Sequence, residues 1–355
     1  MKYLVVILLF IAAFFKVPDI NGWAYRQVAG LFVLSLVISW LLSKKYHISV
    51  GLCFLVTAIF GLIQSGLPQF GSEVVSSVMT LLFFSCIALC LEGKYLAFIF
   101  PILMIIAILD SVIMIFRALP HIGDLWGFLQ AWWVMTNASL DACFIALMSP
   151  VVGVVIKYKT LDLLIMAFIL IAVLLTKSNT AICVFVLMQL IIFLKQKDYK
   201  SFLIIFIGLA SLAVPFHHFF GMKFAANFGR FGNWKTMMGF WKDHINHIIG
   251  AGPGTYWVYS QAIQAHKVGD GVFTWMHNDY LQVLFEQGYI GLVSILFLYG
   301  VMLYKSFKGP VLFSMVIGYG LIACTMYPLH LFYFQLIGVA LIYHCFVKTE
   351  IACVN

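Results

Sequence analysis

Charge is what this chain has least of. Only 10% of its 355 residues are charged, 13 Asp and Glu against 21 Lys and Arg, too few to cover a water-soluble domain of that size. A soluble globular enzyme is thereby excluded. Proline is sparse at 9, and the 27 Gly follow no period, which excludes a collagenous chain, while 34 Phe exclude a disordered one. The eight Cys include no Cys-x-x-Cys pair, and seven of them lie in apolar segments, so there is no disulfide framework. No internal repeat of the kind that builds many transporters stands out. Neither a basic tail nor a nucleic-acid-binding module occurs, so no nucleic-acid partner is expected.

What is abundant is apolar. Hydrophobic residues make up 64% of the chain and the mean hydropathy is +1.05, the composition of an all-α polytopic membrane protein. A spanning helix needs roughly 20 apolar residues, and the sequence divides into about twelve such stretches: 2–17, 24–42, 47–63, 74–91, 95–116, 138–156, 161–176, 179–194, 201–220, 280–304, 310–327 and 329–347. Lys2 precedes an apolar run that no small-residue cleavage site follows at Phe14-Phe15-Lys16, so the first stretch reads as a retained helix rather than a secretory signal. On this division 1–220 carries nine helices, 221–279 is one long loop, and 280–355 carries three helices and a short tail.

Lys and Arg orient the chain, because short cytoplasmic loops carry an excess of them. With the N-terminus inside, Lys2, Lys44, Lys45, Lys94, Lys157, Lys159, Lys195, Lys197, Lys200, Lys305, Lys308 and Lys348 fall on the cytoplasmic side. Most of the net charge of +8 is this orientation signal. Both termini are then expected in the cytoplasm of a bacterial cell, the protein in its inner membrane, and the long loop in the periplasm. Trp126, Trp132 and Trp133 suit an aromatic segment at the outer interface, either an anchoring belt or a substrate contact.

Within the long loop, Trp234, Met237, Met238, Trp241, Ile245 and Ile248 recur at helical spacing, with Lys235, Lys242, Asp243 and Asn246 on the other face. This predicts an amphipathic helix ended by Gly250-Ala251-Gly252-Pro253-Gly254. Such a Gly-rich turn reads first as a plain turn and second as a phosphate contact. His244 and His247 have no third ligand at a recognisable spacing, and no Asp-x-Asp occurs, so no metal is expected.

Chemistry concentrates where the loop meets the next helix, at Trp275-Met276-His277-Asn278-Asp279-Tyr280-Leu281-Gln282. A histidine at an outward-facing helix start can accept a proton near neutral pH and can reach both a lipid headgroup and a soluble acceptor. The alternative is a merely interfacial polar group. Gly288 and Gly291 share a helix face with His277 and are expected to admit a neighbouring helix closely. Glu286 is a carboxylate that needs a wet cavity or a cation, and it reads as a group that binds substrate or orients the site. Arg117 with Asp110 reads either as cavity lining or as a charge pair.

The pattern His277-Asn278, nine residues, Gly288, two residues, Gly291 resembles the signature of the bacterial O-antigen ligase family, whose superfamily also holds O-antigen polymerases and O-linked oligosaccharyltransferases. Arg230-Phe231-Gly232-Asn233-Trp234 and the Gly250–Gly254 turn resemble that family's Arg-x-x-x-Trp opening and Gly-x-Gly-Pro-Gly turn. The resemblance implies a fold like that of type C glycosyltransferases, with a large periplasmic loop, and an inverting transfer of a glycan from undecaprenyl diphosphate to a hydroxyl acceptor, with no cofactor or required metal. It implies His277 as base or orienter for the acceptor and Arg230 as the cation on the diphosphate, the preferred choice because its fork is bidentate. Asn278 and Gln282 would position substrate or His277. Family members often carry Ser-Arg where this chain has Ser178-Asn179, and Lys177 is the nearby residue able to supply that charge. Leu292 stands where the ligases often have Thr, leaving lipid A core, another lipid-linked glycan or a protein open as acceptor. A lipid-linked glycan flippase is the reading from a different class, disfavoured because the candidate residues collect at one face instead of along a midplane path.

Overall fold

The computed structural model describes residues 99–118, 138–156, 158–197, 228–252, 255–264, 275–328 and 332–346. Every regular element among them is an α-helix: α1 Ile99–Ala118, α2 Ala138–Val155, α3 Lys159–Leu175, α4 Asn179–Gln196, α5 Phe228–His244, α6 Tyr256–Gln264, α7 Asp279–Ser306, α8 Pro310–Thr325 and α9 Phe332–Phe346. Where a predicted span falls on described residues, a helix is found there. The expected 280–304, for example, is α7.

The expected count of about twelve membrane spans is corrected by these lengths. Among the described residues three helices, α2, α4 and α7, are long and apolar enough to cross a membrane. The apolar stretches Phe100–Ile115, Thr160–Leu175 and Pro310–Thr325 are shorter. At 1.5 Å per residue each covers about 24 Å, less than the ~30 Å hydrocarbon core. Hydropathy counts apolar residues without fixing the length of the helix they form; α2, which has the length to cross, has Leu140 to Val152 all buried. The predicted stretches 2–17, 24–42, 47–63, 74–91 and 201–220, and Trp126, Trp132 and Trp133, lie outside the described residues.

The chain packs as two units. Those described residues that fall within Leu96–Ala226, Tyr299–Ile322 and Ala340–Asn355 form one. Here α2 is the centre, packed by α1, α3 and α4. Its buried Ser149 is tied to α4 by Gln189 Nε2, which donates to Ser149 Oγ at 3.0 Å. Arg117, on α1, and Lys177 belong to this unit. Lys177 is exposed and left-handed, with φ 58°. The next residue, Ser178, caps α4 by accepting from Ala181 N at 3.4 Å. Asn179 is thus the first residue of α4.

The other unit takes in the described residues of Asn227–Leu298 and Ala323–Val339, and it holds most of the candidate residues. Its core is Met237, Trp241, Tyr256, Met276 and Phe285. The predicted amphipathic helix is present as α5, with Asn233, Met237 and Trp241 buried four residues apart and Lys235, Lys242 and Asp243 exposed. It ends at His244, sooner than the glycines would dictate, because Asn246 Oδ1 accepts from Ile248 N at 2.9 Å and Ile249 N at 3.2 Å and turns the chain. The short helix α6 was not foreseen.

Candidate functional site

α7 begins with a side-chain cap. Asn278 Oδ1 accepts from Leu281 N at 3.0 Å, and its backbone carbonyl accepts from Gln282 N, the first bond of the helix. Asn278→Ala removes this cap and is expected to destabilise the protein by about 1 kcal/mol, while Asn278→Ser retains it. Thermal unfolding of the detergent-purified variants measures the difference, and equal midpoints for all three would show that the cap carries no stability.

The residue before the cap, His277, has φ 54°, the left-handed conformation that side chains other than glycine avoid at a cost of roughly 1–2 kcal/mol. Its neighbours hold it there. Gln282 Oε1 accepts from Met276 N at 3.2 Å, and Trp234 Nε1 donates to the Met276 carbonyl at 2.5 Å. Both backbone groups of Met276 are therefore fixed by side chains, one from α7 and one from α5, and Asn278 is fixed as the cap. Gln282 is in turn oriented by Glu286, whose Oε1 accepts from Gln282 Nε2 at 3.0 Å and from Tyr256 N, at the start of α6, at 3.4 Å. Glu286 is buried. The structure thus lines up Glu286, Gln282 and Met276 behind His277.

Arg230 reaches the same region from α5. One turn before Trp234, it donates through Nη1 to the carbonyl of Thr325 at 2.8 Å, at the end of α8. Two residues further on, the Tyr327 ring meets the His277 ring edge to face, centroids 4.9 Å apart at 79°. It also stacks on Trp275 at 5.7 Å and 15°. The Arg-x-x-x-Trp spacing acquires a physical meaning here, because positions four apart share a helix face: Arg230 engages the end of α8, and Trp234 engages the chain before α7.

Electrostatics follow from this placement. Burial, and then the positive charge of Arg230, lower the His277 pKa to about 4, so the imidazole is neutral at pH 7. Burial raises the Tyr327 hydroxyl and Arg230 opposes that rise. Tyr327 is therefore a neutral phenol at pH 7.

The Gly pattern has a different role from the one expected. What approaches Gly288 is a turn, not a helix. Gly288 has φ 64° and ψ −160° inside α7, a region essentially restricted to glycine, and the helix is broken there. A continuous helix would bond Tyr289 N to the Phe285 carbonyl and Ile290 N to the Glu286 carbonyl. Instead Tyr289 N donates to the His247 carbonyl at 2.8 Å and Ile290 N to that of Ile248 at 3.2 Å. The two vacated carbonyls accept from Ala251 N at 3.0 Å and Gly252 N at 2.7 Å. Four bonds to the 247–252 turn replace two within the helix. Gly250, at φ 74°, lies as close from the other side, since a Cβ there would come within 2.4 Å of the Glu286 carbonyl. A Cβ on Gly291 would sit 2.3 Å from that of Gln287 in its own helix.

His244 and His247 are occupied by ring contacts. His247 stacks on Trp241 at 4.3 Å, with its Nε2 2.9 Å from the Lys242 carbonyl, and His244 packs on Phe240 at 4.7 Å. Among the described residues no three of His, Cys, Asp and Glu gather as a metal site. Of the candidates, His277, Arg230, Asn278, Gln282, Glu286, Gly288 and Gly291 lie in one unit, and Arg117 and Lys177 in the other. Sequence reasoning missed Thr325 and Tyr327, and it gave Trp275 no role of its own. The first two lie 95 and 50 positions from their partners Arg230 and His277, with no motif to flag them.

A family model described as O-antigen ligase matches residues 164–296. The matched stretch runs from α3 into α7 and contains every candidate residue except Arg117. Over that part of the chain the similarity is to a glycan-handling, membrane-associated enzyme of the glycosyltransferase kind. No curated protein shows significant similarity to the chain.

Proposed function

We propose that this protein is an inverting glycosyltransferase of the bacterial inner membrane that moves a glycan from undecaprenyl diphosphate to a hydroxyl of lipid A core on the periplasmic side, with both termini in the cytoplasm. The observation that supports this reading best is the convergence of His277 and Arg230, within the matched stretch, on the short segment that ends α8. In the reaction the acceptor oxygen attacks the anomeric carbon, the bond from that carbon to the phosphate oxygen breaks, and the diphosphate leaves with the electron pair. Charge develops on the diphosphate, and a fixed guanidinium stabilises it. The acceptor proton passes to the neutral imidazole of His277.

The depressed pKa gives this arrangement an order. A base with pKa about 4 is weak, and part of that weakness is the charge of Arg230. A bound diphosphate offsets that charge, so His277 becomes the stronger base only once donor is in place. Arg230→Gln is expected to lower transfer by about 10²–10³-fold and, at limiting donor, where the rate reports the free enzyme, to move the acid limb up from near pH 4. The limb stays below 6.5, because burial, the larger cause, persists. The same depression has a stability counterpart. An unfolded chain takes up a proton at His277 between pH 6.5 and 4 that the folded protein refuses, so stability is full above pH 6.5 and falls as pH drops through that window. A pH–rate profile of Arg230→Gln with an acid limb unmoved from wild type contradicts the coupling.

Surface-glycan gels of a host lacking the protein, complemented with wild type, test the acceptor. Polymer joined to lipid A core only in the complemented strain supports a ligase. Restored chain length on lipid-linked repeats indicates a polymerase, and a glycosylated protein an oligosaccharyltransferase. An unchanged ladder overturns all three.

A further inference from the structure

We propose that Tyr327 is a positioning residue for glycan transfer, bracing the His277 ring while its own segment anchors Arg230; this rests on the reading of His277 and Arg230 as the working pair. Three observations combine. The Tyr327 ring is held from one side by Trp275, nearly parallel at 5.7 Å, and presents itself edge to face to His277 at 4.9 Å. Trp275 and His277 flank Met276, whose N–H and carbonyl are both fixed, so the ring cluster rests on an immobilised backbone. The chain around Tyr327 is restrained as well: Thr325 accepts from Arg230 at 2.8 Å, and Pro328 disfavours the helical region for Tyr327.

The chemical need for such a brace is specific. The backbone of His277 is fixed by its neighbours, but an imidazole still turns about two side-chain torsions, and a base misplaced by about 1 Å loses on the order of 10²-fold in rate. An aromatic edge contact restricts that rotation without introducing charge. The charged and titratable groups around His277 among the described residues include Arg230 from α5 and Tyr327 after α8, with Asp279 two residues on in its own segment. Tyr327 is the neutral one, so it orients the imidazole without holding its proton.

The test uses the full chain in detergent, a polyprenyl-diphosphate-linked oligosaccharide as donor and lipid A core as acceptor, with release of polyprenyl diphosphate as the readout. Tyr327→Leu is expected to lower kcat by roughly 10–100-fold, to leave donor KM within about threefold, and to raise the acid limb toward 6.5 as water reaches the imidazole. Tyr327→Phe keeps the ring and restores most of the rate. A folded Tyr327→Leu protein with wild-type kcat and an unmoved acid limb overturns the proposal. So does a Tyr327→Phe variant as slow as Tyr327→Leu, because the hydroxyl would then matter and the ring would not. Should the Leu variant fail to fold, Tyr327→Met, closer in volume, is read in the same way. Failure here is distinguishable from failure of the functional reading, because the latter shows as a His277→Ala enzyme with undiminished transfer, whatever Tyr327 does.

Discussion

His277→Ala leaves the protein folded and its glycan transfer reduced by about 10²–10⁴-fold, the range that a positioned proton acceptor contributes. In the complemented host this reads as lipid A core without polymer and as an accumulation of lipid-linked glycan. Folding is expected to survive for a structural reason. The left-handed φ of His277 is unfavourable to any side chain, and the bonds that enforce it belong to Met276, Gln282, Trp234 and Asn278, none of which the substitution touches. His277→Gly relieves the backbone penalty altogether, so it is expected to be at least as stable as His277→Ala and just as inactive. That pairing separates chemistry from stability. Full transfer by either variant at normal expression would remove His277 from the mechanism and leave Arg230 and the helix start as a binding site without a base.

The depressed pKa sharpens the same prediction. At limiting donor, where the rate reports the free enzyme, a histidine that titrated near 6.5 would make the rate fall below neutrality, whereas one lowered to about 4 by burial and by Arg230 keeps it level from pH 7 to about 5. Above pH 7 the imidazole is already fully neutral, so no further gain is expected from its side. A steep loss between pH 7 and 6 would show that His277 is more hydrated than this packing allows, or that another group limits transfer.

Much of this site was legible from residues close in the chain. The apolar spacing of Trp234, Met237 and Trp241 found α5, and the polar run before Leu281 found the start of α7 with His277 and Asn278 in place. What local pattern misses is distance along the chain. The carbonyl of Thr325 receives Arg230, and the ring of Tyr327 meets His277, but a backbone carbonyl and a single Tyr near a helix end carry no spacing signal. The overcount of spans has a related cause, since Phe100–Ile115, Thr160–Leu175 and Pro310–Thr325 are as apolar as a membrane span while the helical runs they form are too short to be one. Sequence composition measures the need for burial and not the length of helix that meets it.

Gly288 is the position where a local signal was seen and its meaning was not, and a single methyl group tests the meaning. A Cβ at Gly288 would lie 2.4 Å from the Ile248 carbonyl oxygen, 2.5 Å from its carbon and 2.7 Å from Gly250 N. All three are backbone atoms of a turn that is itself hydrogen-bonded to α7, so no side chain can swing aside to make room. The conformation at φ 64° and ψ −160° is also closed to alanine. Gly288→Ala must therefore either expel the 247–252 turn, losing four backbone bonds, or straighten α7, which moves Tyr289 and Ile290 off their partners. Either route is expected to cost about 4 kcal/mol or more, seen as loss of folded protein in detergent. Gly300→Ala, on the same helix and with nothing within 4 Å of its new Cβ, is expected to be neutral or stabilising by up to about 1 kcal/mol. The contrast within one helix excludes a general intolerance of α7 to alanine. If both variants unfold at the wild-type temperature, the helix runs unbroken through 288, and the glycine pattern there records a close helix contact after all.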